Sequence, residues 1–406
     1  MNKVHTATAV VAALFLASCV FGHTVALRML LLGTGLILAS VVGFRDRREI
    51  RLLPPIWLPF LLWGGWALLS LAWSIEPERT EKEWSNEVFY TGAAIWVCYV
   101  AAQAPRALRI FVALLAAAGA LAAVLSIHAF FRGPEAYANG WHGGPGDHSS
   151  ALLCLMAGAL VLAWHAARLR APLYARAAPC LLILLFLASA YATLNRTIWL
   201  GFAAQVMVMG AGALWWLGRD GQPPVRRGLK LAAVAGAAAV LAAATLITLH
   251  VNATKEGGAV AAAEPKRDSR MDVWREVSQR IAERPLLGHG FGRGIEASSI
   301  REKLGGSSNL WHAHNLFLDA VLQTGVVGLG LFLLLLGKLA QGTLRLVRDA
   351  DPNAAACGLA LAGVLTGMVV RNMTDTLLVR QNALLFWGLT GLLLATTGAK
   401  SWRASS

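Results

Sequence analysis

Charge is what this chain has least of. Asp, Glu, Lys and Arg make up 14% of its 406 residues, against 57% hydrophobic; a soluble domain carries about a quarter charged. One core cannot hide that much apolar surface, so lipid must be part of the solvent. Acids are scarcer still, 22 against 36 Lys and Arg, for a net charge of +14. The cations sit in short loops between apolar runs, and no basic stretch is interleaved with exposed aromatics. They read as membrane topology, and no nucleic-acid partner is expected. Cysteine is sparse. Cys19, Cys98, Cys154, Cys180 and Cys357 all fall inside apolar runs without metal-ligand spacing, which argues against a disulfide framework and reads as five small buried hydrophobes. There is no P-loop, nucleotide-binding glycine fingerprint, Asp-x-Asp pair or serine nucleophile elbow. A nucleotide-sugar enzyme or an ATPase is therefore unsupported, and neither a nucleotide nor a cofactor is expected.

What the chain has in abundance is long hydrophobic runs, with a mean hydropathy of +0.57. Runs long enough to span a bilayer fall near 6–26, 28–44, 53–74, 88–104, 109–131, 149–167, 178–194, 197–217, 231–250, 315–337, 354–371 and 381–398. The expected fold is an all-α polytopic membrane protein of about twelve transmembrane helices. The opening MNKVHTATAVVAALFLASC resembles a signal peptide, but its apolar run continues past signal length, so it reads as a retained first span. Lys and Arg collect in alternate short loops, as in Arg45-Asp46-Arg47-Arg48 and Arg226-Arg227. That asymmetry puts both termini in the cytoplasm. Three regions follow: nine spans over 1–250, a loop over 251–313 on the outer side, and three spans with a cytoplasmic tail over 314–406.

The loop is nearly balanced, with ten cations against eight acids. Within it DSRMDVWREVSQRIAERP predicts a helix, because Met271, Trp274, Val277 and Ile281 recur at helical spacing and Pro285 follows the end. Arg270 falls in the first turn, against the helix dipole; a bound anion would reverse that penalty, and a solvated arginine is the plainer alternative. A glycine-rich turn, LLGHGFGRG, comes next. Trp311-His312-Ala313-His314-Asn315 then heads an apolar span, with Ser307, Ser308 and Asn309 as capping candidates. An imidazole there suits general base work. His-x-His is also half a metal site, but no third ligand stands nearby at suitable spacing, so no metal is expected. Asp319, one turn after Asn315, is placed to orient Asn315 or a histidine. Asn195-Arg196-Thr197 is squeezed between two apolar runs, where an arginine is costly and a functional candidate, or simply snorkels. Asp375 in RNMTDTLLVR, Arg28, His128, His142 and His148 are further outer-face groups whose structural reading is the stronger.

Together these residues resemble the O-antigen ligase and polymerase superfamily. The likeness rests on Arg270, Trp274, Pro285-Leu286-Leu287-Gly288-His289-Gly290, His314-Asn315, and Gly325 with Gly328, over about sixty-five residues. The resemblance implies a lipopolysaccharide O-antigen ligase in the bacterial inner membrane. Such an enzyme moves a glycan from undecaprenyl diphosphate to lipid A–core at the periplasmic face, without a metal and with inversion. The family's essential histidine maps onto His314, and its diphosphate-binding arginines onto Arg270 and Arg196. Trp274, Asn315 and Asp319 are supporting positions. His312 departs from the pattern and leaves open which imidazole acts. The implied partners are the undecaprenyl diphosphate-linked glycan, the lipid A–core acceptor and membrane lipids. A polymerase of the same superfamily is the alternative. A transporter of lipid-linked oligosaccharide is the second; it would need charges deep in mid-span, where this chain has almost none.

Overall fold

In a computed structural model of the chain, residues 3–104, 106–169, 171–218, 269–303 and 312–395 are described, with four positions between 238 and 246. Every regular element among them is helical. α1 (Lys3–Ser18) and α2 (Val25–Arg45) form a hairpin. α3 (Trp57–Leu69) follows, then α4 (Pro77–Trp84), which runs through a π-helical turn into α5 (Tyr90–Ala102). α6 (Ala107–Arg132), α7 (Pro134–Ala138), α8 (Pro145–Arg168), α9 (Leu173–Ala192) and α10 (Thr197–Leu217) complete the first part. The expected ninth span, 231–250, and the loop from 251 to 268 lie outside the described residues, the four isolated positions apart. After them come α11 (Ser269–Glu283), α12 (Ala297–Lys303), α13 (Leu316–Val347), α14 (Pro352–Asn372) and α15 (Arg380–Leu394).

Each of the other eleven expected runs is helical. Seven are long and apolar enough to cross a membrane: α2, α6, α8, α9, α10, α13 and α14. The rest are shorter. α15 is buried almost all round, and it packs on α5, while α14 packs on α8, α10 and α13. Helices apolar on every side belong in such a centre. Four of the five cysteines are buried there as expected; Cys180 is the exception, exposed on the outer face of α9.

The loop helix forms where its periodicity predicts it, and its packed face differs from the expected one at Met271. Val273 and Val277 are fully buried with Ile295, Ile300, Ala313 and Leu322, and Ile281 packs beside them. Met271, expected on that face, is exposed. α12, which the sequence did not announce, is tied to α11 through Glu276, whose carboxylate meets Arg280 at 3.2 Å and Lys303 at 2.9 Å.

α13 is broken at Gly325, whose φ of 68° and ψ of −175° are not helical. A break leaves backbone groups that hydrocarbon cannot satisfy. The glycine turn satisfies them. His289 N–H donates to the Leu322 carbonyl at 3.0 Å, Gly290 N–H to the Gln323 carbonyl at 2.9 Å, and Val326 N–H to the Pro285 carbonyl at 2.9 Å. Trp66 Nε1 donates to the Thr324 carbonyl at 3.0 Å. Gly288 and Gly325 allow this approach because both have positive φ and a Cβ on either would strike the other strand's backbone. The Pro-Leu-Leu-Gly-x-Gly turn and the glycine pair in the following helix are two halves of one joint.

His289 braces that joint from inside. Its ring bridges the Glu296 carboxylate, 3.0 Å from Nδ1, and the Arg280 carbonyl, 2.9 Å from Nε2. The hydrogen bond that the ring donates to Glu296, helped by that carbonyl, raises the imidazole pKa against the opposing effect of burial; the same bond lowers that of Glu296. The bridge is therefore complete below the unfolded histidine value of about 6.5 and fades as pH rises through the raised folded value. Hydrogen-exchange protection of α11 and the turn should fall as pH rises above the unfolded histidine value of about 6.5. In His289→Gln it should be low and flat; an unchanged wild-type profile would rule the bridge out as a brace.

Candidate functional site

Two segments meet at one end of the bundle: the head of α13 and the α14–α15 link. Asn315 caps α13, accepting from the Phe317 and Leu318 amides at 2.9 and 3.1 Å. The cap is thus Asn315; Ser307, Ser308 and Asn309 lie outside the described residues, as does Trp311. Asn315 Nδ2 also donates to the Met373 carbonyl at 2.9 Å, which binds the two segments together. His314, immediately before the cap, has a φ of 49°. A side chain on left-handed backbone is a strain kept where the surroundings enforce it, often at functional sites.

His314 Nδ1 lies 3.4 Å from Asp375 Oδ1. Arg371 reaches the other oxygen of that carboxylate at 3.6 Å. Burial works to raise the Asp375 pKa, but the His314 hydrogen bond and the Arg371 charge outweigh it and hold the group below the usual carboxylate range. His312 stacks on His314 with ring centroids 3.8 Å apart, in a different setting. It is 2% exposed. Arg293 donates to its Nε2 at 2.8 Å, and its Nδ1 lies 3.0 Å from the His314 amide nitrogen. Burial, and then the Arg293 charge, push its pKa down. With its Nε2 accepting from Arg293 and its charged form disfavoured, His312 holds its neighbours in place.

The expected supporting residues converge here. Trp274 Nε1 donates to the Ala313 carbonyl at 2.8 Å, which pins α11 to the residue before His314. Asp319 accepts from the Ala313 amide at 3.2 Å and lies 3.9 Å from His312. Arg270 stands in the first turn of α11, one turn before Trp274; its side chain lies outside the described residues. Arg196 is exposed at the head of α10, beside Asn195, which reaches Ser149 at 3.4 Å. Among the described residues, no contact links it to the His314 cluster. Arg28, His142 and His148 are buried: Arg28 reaches Thr24 at 3.3 Å, and His148 reaches Ser189 at 2.8 Å.

Sequence reasoning passed over Arg293 and Arg371 and ranked Asp375 low. Arg293 ends a glycine-rich turn with no periodicity. Arg371 and Asp375 are one turn apart in RNMTDTLLVR, and that spacing between two apolar runs was the available signal. Asp375 also supplies the third ligand that the neighbourhood of His312 lacks: atoms of His312, His314 and Asp375 lie within 4.8 Å of one another. A cation there would compete with Arg293 for His312 and with Arg371 for Asp375.

Comparison with known proteins bears on the same segments. Residues 181–333 match the O-antigen ligase family model. The resemblance drawn from the signature residues is borne out. The match covers less than half of the chain and takes in α11, the glycine turn, His314 and the first part of α13. A protein of Rickettsia felis described as "Putative polysaccharide ligase" is 28% identical over 123 residues, 28% of this chain and 29% of that protein. One of the same description from Rickettsia prowazekii is 27% identical over 142 residues, 32% of this chain and 31% of that protein. The matches thus span about three-tenths of these curated relatives.

Proposed function

We propose that this multi-pass membrane protein is a glycan ligase that transfers a sugar chain from undecaprenyl diphosphate to lipid A–core at the periplasmic face of the bacterial inner membrane. The observation that carries the reading is the His314–Asp375 pair, held at a helix head on strained backbone with guanidinium groups around it. The family match and the two relatives support it.

In this mechanism His314 is the general base. Asp375, behind Nδ1, orients the ring and stabilises its protonated form, so Nε2 takes the proton from the acceptor hydroxyl. The acceptor oxygen bonds to the anomeric carbon as the bond from that carbon to the phosphate oxygen breaks. The electron pair leaves with the diphosphate. Attack opposite to the leaving group inverts the anomeric centre. Arg270 and Arg196 bind the donor diphosphate and take up its growing charge, as preorganised cations do for transferring phosphate groups. His312 and Arg293 fix the ring stack beneath. The positive-inside pattern of short loops supports the outer-face placement.

The test is transfer by the purified chain in lipid vesicles, from undecaprenyl diphosphate-linked glycan to lipid A–core, with a chelator present. Product should require both lipids and survive chelation. A ladder of joined repeats formed without core would make it a polymerase; no product from either donor–acceptor pairing would reject the reading. Arg270→Ala and Arg196→Ala should each lower transfer by roughly 10²-fold with normal membrane insertion. Normal rates in both variants would remove the arginines from the donor site.

A further inference from the structure

On the far side of Arg293 and Asp319 from His312 lies a pocket of about 70 Å³, room for roughly five waters at ~10–15 Å³ apiece. Arg293, Asp319 and Gln323 line its polar part, Trp63 and Trp387 its apolar part, and Glu87 reaches it from α5's side.

Glu87 is the unexplained member. It is 8% exposed. Its Oε1 accepts the Arg380 amide at 2.8 Å, while its Oε2 has no hydrogen-bond partner among the described residues. A buried carboxylate oxygen left so is expensive and rare. The backbone on both sides of the contact is unusual. Glu87 sits on the π-helical turn Ser85–Phe89, a device that often marks functional sites. Its partner Arg380 has a φ of 50°. The fold therefore accepts two local irregularities to present this carboxyl group.

The lining narrows what Oε2 awaits. A metal cation would face Arg293. A phosphate would meet one cation among the described lining residues, Arg293, which already donates to His312. A neutral hydroxyl donor meets neither obstacle, and the two indoles fit a ligand with apolar C–H faces. Few polar groups among aromatic walls is the usual make-up of a small-molecule site. We propose that this pocket is a saccharide subsite in which Glu87 accepts a hydrogen bond from a hydroxyl of the sugar beside the reacting bond, flanked by Trp63 and Trp387. The proposal rests on the glycan-transfer reading above. The first sugar of the donor glycan and the accepting core sugar offer the same chemistry.

Glu87→Gln tests it in the full chain in vesicles, since it keeps an oxygen for the Arg380 amide and replaces Oε2 with an N–H donor. Each substrate is varied with the other saturating. KM for one substrate should rise at least about fivefold, the scale of one ordinary hydrogen bond, with kcat held within about threefold. A rise against lipid A–core assigns the acceptor sugar; a rise against the undecaprenyl diphosphate-linked glycan assigns the donor sugar. Two unchanged KM values, or a fall in kcat alone, would overturn the subsite and leave a water-filled pocket. Should Glu87→Gln not fold, Trp63→Phe must raise one KM severalfold, and unchanged values there overturn the proposal equally. Absence of transfer by the wild-type chain would instead sink the ligase reading.

Discussion

His314→Gln should lower glycan transfer by roughly 10²–10⁴-fold, the span that a positioned general base contributes. Glutamine can occupy the left-handed position at some strain and leaves Asn315 free to cap α13, so insertion and folding should persist. Asp375→Asn should cost about tenfold or more, because an amide keeps the contact with the ring but no longer stabilises the imidazolium. His312→Gln should cost less than His314→Gln: it removes the acceptor for Arg293, 2.8 Å away, without removing the proton acceptor. Rates of transfer from undecaprenyl diphosphate-linked glycan, measured for all three variants at equal protein in the membrane, check the order. Near-normal transfer by His314→Gln with loss in His312→Gln would move the base to the buried ring.

Gly325→Ala should damage folding more than any other single-methyl addition in α13. Its backbone lies in a region of φ and ψ that is essentially glycine's alone, and strain there costs ~1–3 kcal/mol. A Cβ would also overlap the Leu286 carbonyl, so the turn carrying His289 and Gly290 must separate from the break. The freed carbonyls of Leu322 and Gln323 would then lose their donors, at about 1–3 kcal/mol for each buried group left unpaired. Gly330 in the same helix is the control, because nothing lies within 4 Å of a Cβ there; Gly330→Ala should be neutral or mildly stabilising. Thermal unfolding in detergent and protease cutting between residues 285 and 296 read both. Equal behaviour of the two variants would refute the joint.

Much of this was legible in the sequence, for identifiable reasons. His314-Asn315 before an apolar run announces a helix head, because an asparagine cap and an interfacial imidazole are local features. The choice between the two imidazoles was not legible. It depends on Asp375 arriving from the α14–α15 link and on Arg293 arriving from a glycine turn, and neither approach leaves a periodic trace. The helical runs were readable from composition. Their lengths were not: α5 and α15 are short and wrapped by protein, and a hydropathy window does not separate a lipid-facing helix from a buried one. The break at Gly325 was hidden for a related reason, since one non-helical residue does not alter the average of a long apolar segment. Met271 was misassigned because α11 packs on a face rotated toward Val273.

The joint at Gly325 also sets what can be exchanged between related proteins. The turn from Pro285 to Gly290 and the α13 segment from Leu322 to Val326 complete each other's backbone bonds. A chimera that borrows the loop alone would import donors whose acceptors stayed behind. The transferable module is the loop together with the first turns of α13, and it carries His314 with it. Exchanging the loop between relatives therefore means transplanting His314 as well.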